Sequence, residues 1–141
     1  MKIIILGILF YSINVFANGV PNPQMRVCLN TNSHFWVMEI EHPRKDSIGF
    51  CLFNDESMIG SLELINYFHY NTKTMALRAY LSSNSTKYHS CQSADAVLVK
   101  AVDSNLDQFE LCRFTDDSFI LKKTLINGFR SDSNIQLNSY L

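Results

Sequence analysis

Cys51–Phe68 reads CLFNDESMIGSLELINYF, and Cys112–Phe129 reads CRFTDDSFILKKTLINGF. Laid together without a gap, at an offset of 61 residues, the two stretches agree at nine of eighteen positions. The shared residues are Cys51/Cys112, Phe53/Phe114, Asp55/Asp116, Ser57/Ser118, Ile59/Ile120, Leu64/Leu125, Ile65/Ile126, Asn66/Asn127 and Phe68/Phe129. Average composition gives about one match by chance. Self-similarity at a fixed period decides the architecture before any local pattern does, and it marks this chain as a duplication.

Working outward, Cys28 and Cys91 also correspond, lying 23 and 21 residues before the second Cys of each copy. The difference falls in the intervening region, where EHPRKDS of the first copy makes the longer turn. HFWVMEIE (34–41) and DAVLVKAV (95–102) are rich in Val, Ile and aromatics and read as strands. IGFCLF and FELCRF read as second strands, with Cys51 and Phe53, and likewise Cys112 and Phe114, on one inward face. NDES and TDDS then supply a turn or N-cap. The shared apolar positions that follow, 58, 59, 64, 65 and 68 with 119, 120, 125, 126 and 129, mix odd and even offsets. No strand face accommodates them, whereas a helix gathers all but Ile59 and Ile120 into one stripe.

The expected architecture is therefore an α+β fold of two tandem strand–strand–helix repeats, packed with pseudo-twofold symmetry and disulfide-bonded. Repeat 1 runs over 18–70, a short helix and linker over 71–90, and repeat 2 over 91–131. The tail 132–141 shows no pattern and is expected to fray. Four cysteines permit three pairings. Units that each repeat an internal bond give Cys28–Cys51 and Cys91–Cys112, while Cys28 joined to Cys91 would staple one repeat to the other.

The beginning, MKIIILGILFYSINVFA, has a basic Lys2, a short apolar run and Val15-Phe16-Ala17 at a cleavage site. It is shorter than the roughly 20 apolar residues of a spanning helix. A signal peptide over 1–17 is expected, giving a secreted or periplasmic protein without stable membrane insertion after cleavage. The remainder carries eleven basic and thirteen acidic residues. That balance gives no electrostatic footprint for nucleic acid.

The order Asn22-Pro23, Cys28, Gly49, Cys51, Phe53, Asp55 and Ser57 resembles the repeat of small exported bacterial proteins bearing the hemolysin label. The second copy keeps Cys91, Cys112, Phe114, Asp116 and Ser118 and lacks the Asn-Pro. Glu56 or Asp117 stands where that family has Gly, and Ile59 or Ile120 where it has a third Cys. The family's helix Trp and closing Cys are missing. The resemblance implies export and a small disulfide-bearing module, with no defined activity.

Chemistry-bearing motifs are sparse. There is no C-x-x-C, no His pair at ligand spacing and no phosphate-cradling Gly loop, so neither metal nor cofactor is expected. Asp55 and Asp116 sit where a turn or cap needs an acceptor. Asn66 and Asn127, polar residues duplicated inside an apolar helix pattern, are the candidate binding residues. His69 and His89 are the strongest histidine candidates for a base, and neither is duplicated. The expected function is a noncatalytic binding module for a protein or envelope component. The alternative is a secreted hydrolase or toxin using His69 or His89.

Overall fold

The computed structural model describes residues 22–42 and 44–141. The expected signal peptide, its cleavage point and the first residues of repeat 1 lie outside the described residues. At Asn22 the side-chain oxygen accepts from the Gln24 amide at 2.9 Å and Pro23 occupies the first helical position, so helix α1 (Pro23–Asn30) starts here. Strands β1 (His34–Ile40), β2 (Asp46–Leu52) and β3 (Met58–Gly60) follow, then α2 (Ser61–Tyr70) and α3 (Met75–Leu81). A 3₁₀ turn at Gln92–Ala94 leads to β4 (Val97–Val102), β5 (Gln108–Arg113), β6 (Phe119–Leu121) and α4 (Lys122–Asn127). A second 3₁₀ turn, Asp132–Asn134, precedes α5 (Ile135–Asn138).

The strands close into a six-stranded antiparallel barrel in the order β1-β2-β3-β6-β5-β4. This corrects the expected strand–strand–helix unit, because a third strand precedes each helix. Met58-Ile59-Gly60 and Phe119-Ile120-Leu121 pair back onto the cysteine strands, with Cys51 opposite Ile59 and Cys112 opposite Ile120. Pairing to a neighbouring strand overrides the helical spacing, and it accounts for Ile59 and Ile120 lying off the helical stripe. The first copy's two extra residues do not lengthen the turn: they add one pair to the ladder, Ile40 opposite Asp46, and the turns beyond it, 41–45 and 103–107, are five residues each.

Alternation along the strands divides the core in two. Met38, Ile40, Phe50, Met58, Val99, Ala101, Leu111 and Phe119 pack together with strand residues alone and fill the barrel interior. Cys51, Ile59, Cys112 and Ile120 point the other way and pack under Leu64, Leu77, Tyr80 and Leu125 of the helices. The face carrying the cysteines thus looks toward the helical layer. Cys28 bonds Cys51 and Cys91 bonds Cys112, tying α1 to β2 and the first 3₁₀ turn to β5.

The tail does not fray. Leu137 is fully buried, and Asn134 donates to the carbonyls of Thr124 and Gly128 at 2.9 and 3.0 Å. The ends of α3 and α5 are held by the duplicated acids. The Met75 amide donates to Asp116 Oδ2 at 2.8 Å, and the Gln136 amide donates to Asp55 Oδ2 at 2.9 Å. Met75 and Gln136 are themselves 61 residues apart. α3 and the tail helix are thus each held near their start by one of the two aspartates, although the two segments share almost no sequence.

Candidate functional site

Asp55 and Asp116 do turn chemistry. Their Oδ1 atoms accept from the amides of Ser57 and Ser118, each at 3.1 Å, and also from the two hydroxyls. Burial pushes the Asp116 carboxyl up, but hydrogen bonds from Met75 and Ser118 outweigh it and hold its pKa below the usual aspartate range. Asn66 donates from Nδ2 to the Leu62 carbonyl one turn back, at 2.8 Å, and so serves its own helix. Asn127 borders a small cavity of about 140 Å³ with Asp55, Lys123 and Asn134. The two asparagines are not brought to a common site. His69 and His89 are exposed, and neither lines any of the cavities described below. Among the described residues every cysteine is in a disulfide, and no cluster of His, Cys, Asp and Glu could hold a metal ion.

The one carboxyl with a strongly raised pKa among the described residues lies at a position where the two copies differ in sequence. A cavity of about 230 Å³ opens at the start of α2, lined among others by Gln24, Asp46, Gly49, Glu63, Arg113, Asp117 and Phe119. Glu63 is 4% exposed. Its carboxyl folds back over Gly60, where any Cβ would strike Oε2. Burial raises its pKa from 4.5 to about 8, and hydrogen bonds from the Phe119 and Glu63 backbone only partly offset this. A nearby Asp116 charge adds to the rise. At neutral pH Glu63 is therefore a carboxylic acid, with one O–H to donate.

Gly49 and Ser61 make the room. The Ser61 hydroxyl lies 2.6 Å from Gln24 Oε1 and 3.0 Å from the Gly49 carbonyl, and a Cβ at Gly49 would press on Gln24, Phe35 and Ser61. On the far wall Arg113 donates from Nε to Asp117 Oδ1 at 2.9 Å, with its guanidinium carbon 5.9 Å from the centre of the Phe119 ring. The pair is partly exposed, which limits its worth to stability.

A second cleft, of about 610 Å³, is lined by Leu52, Glu56, Met58, Gln108, Phe109, Glu110, Leu121, Lys122, Lys123 and Ile126. Adding 61 to Ser47, Ile48, Gly49 and Leu62 of the first cleft gives Gln108, Phe109, Glu110 and Lys123 of the second. Subtracting 61 from Arg113, Asp117 and Phe119 gives Leu52, Glu56 and Met58. The contents differ. Glu110 and Lys122, the counterparts of Gly49 and Ser61, form an ion pair at 2.8 Å. Thr124, the counterpart of Glu63, meets the Met58 amide through a neutral hydroxyl at 3.0 Å.

Glu63, Gly49, Ser61 and Arg113 escape a search confined to what the copies share. The signal available was the reverse one, a glycine or an acid in one copy where the other has a residue of different size or charge. Comparison with known proteins adds no assignment: no family model matches the chain, and no curated protein or solved structure matches it.

Proposed function

We propose that this chain is a small exported binding module, without catalytic activity of its own, that takes its ligand in the Glu63 cleft. The carrying observation is the buried carboxylic acid lining an open cavity, where the other half manages the same backbone contact with Thr124. A buried acid costs stability at neutral pH, so its presence beside a cavity points to a site. The two disulfides suit the oxidising compartment that a secreted or periplasmic protein meets. Among the described residues no helix is long and apolar enough to cross a membrane.

The module is built, on this proposal, as a duplicated unit of three strands and a helix about a pseudo-twofold axis. Two seams support it. β3 meets β6 at Ile59 opposite Ile120, residues that are counterparts of each other. β1 meets β4 at Glu39 opposite Val102, which occupy the same register position against Ser47 and Gln108. Self-paired residues at both seams are what a twofold axis through the barrel requires. The acids capping α3 and α5 across the halves support it as well.

A hydrolase would need a base beside a nucleophile or a second acid. His69 and His89 are exposed, so no observation favours that role. The test is to titrate the exported, oxidised protein with small-molecule and envelope fractions while following backbone amides by NMR. Shifts centred on Gly49, Ser61 and Phe119 support the module. Turnover of peptides, glycans or lipids that disappears in Glu63→Gln, His69→Ala or His89→Ala would replace it with an enzyme.

A further inference from the structure

We propose that the Glu63 cleft binds a terminal carboxylate, of a small acid or a peptide chain end, using donors from Glu63 and Arg113. This rests on the binding reading above and names the ligand's chemistry. In the second half a carboxylate is built in: Glu110 stands beside β6 and is held by Lys122 at 2.8 Å. In the first half the same position is Gly49, the cation's position is Ser61, and a cavity of about 230 Å³ remains. A ligand carboxylate there restores the group that the duplicate carries on its own chain.

The wall suits that group. Arg113 uses Nε and Nη2 on Asp117, and Nη1 makes no hydrogen bond among the described residues. Glu63 is an acid with an O–H to give, and a carboxylate is the strongest acceptor it could meet. Of the other charges lining the cavity, Asp117 is paired with Arg113, while Arg44 and Asp46, one of each sign, are exposed. The volume is below that of a drug-sized pocket and suits an amino acid or the last residue of a chain. Ionising Glu63 would set two carboxylates face to face, so affinity should fall as pH rises past about 8.

The test uses the full exported, oxidised protein with acetate, L-alanine, tri-alanine and tri-alanine amide as probes, following the amides of Gly49, Ser61 and Phe119 by NMR. Acid probes are expected to shift them saturably and the amide to leave them unmoved. The ratio of L-alanine to tri-alanine affinity separates a free small acid from a chain end. Arg113→Gln should weaken binding about 10- to 100-fold. Glu63→Gln keeps a donor, so it should bind at neutral pH and lose the fall above pH 8. Equal binding of the tri-alanine acid and amide overturns the carboxylate and leaves the cleft a binding site. No shift with any acid probe also overturns it. Turnover appearing with Glu63 intact removes the binding reading as well.

Discussion

Glu56 and Asp117 follow the duplicated aspartates in left-handed backbone, with φ of 69° and 60°. That region costs a non-glycine residue about 1–2 kcal/mol, and glycine's greater freedom in the unfolded chain returns about 0.5–1 kcal/mol of it. Glu56 is exposed and its ion pair with Lys123 spans 3.8 Å at the surface, so its side chain contributes little. Glu56→Gly is therefore expected to raise stability by up to about 1 kcal/mol, read as a higher denaturant midpoint. Glu63 makes the opposite kind of claim. Its folded-state pKa, about 8, stands above the ordinary 4.5, so the folded state holds a proton that the unfolded state releases. Stability from this group is full below pH 4.5 and is lost as pH climbs from there through 8. Glu63→Gln should remove that slope and leave the variant more stable than the parent in alkaline solution, by about 1.4 kcal/mol per pKa unit relieved. Parallel pH profiles for the two proteins would contradict the buried acid. Neither residue's role was legible beforehand, since burial of a single side chain follows from packing between distant segments.

Among the elements, legibility followed pattern length. Four strands, α2 and α4 carry repeated apolar spacing and were visible in the sequence. β3 and β6 are three residues each, too short to carry an apolar pattern distinct from that of the helices they precede. Ile59 and Ile120, the two residues outside the helical stripe, were their trace. Asn22-Pro23, a cap and first-turn pair, marks the start of α1. α5 left no trace, because Ile135–Asn138 is four residues and its partner α3 differs from it almost throughout. The cysteines read best, being repeated and even in number. Their loops span 23 and 21 residues and each ties a terminal segment of its half to the barrel. Replacing either pair with alanine should cost about 3 kcal/mol, with nearly equal losses in thermal unfolding under oxidising conditions. A loss confined to one pair would mean that the halves do not use their disulfides alike.

The molecule as a whole is held by what passes between halves. β3 joins β6 by one residue pair and β1 joins β4 by two, so the strand seams are short. The crossing caps on α3 and α5, and the tail packed against the first half, supply the rest. Tyr140 accepts from Asn32 Nδ2 at 2.7 Å, and Tyr67 donates to the Leu141 carbonyl at 3.4 Å. Leu137→Ala is accordingly expected to destabilise by about 2–5 kcal/mol. Hydrogen exchange should rise in β1 and β2 together with the tail, since a tail that merely frayed would leave those strands protected. The same joining of halves sets the Phe119 wall beside Glu63, which is left 4% exposed at the cavity. The most direct test of the account is the titration of the Glu63 side-chain carboxyl by carbon NMR in the intact, oxidised protein. The account predicts a midpoint at about pH 8 that moves when an acid probe binds; a midpoint near 4.5, indifferent to every ligand, would contradict it.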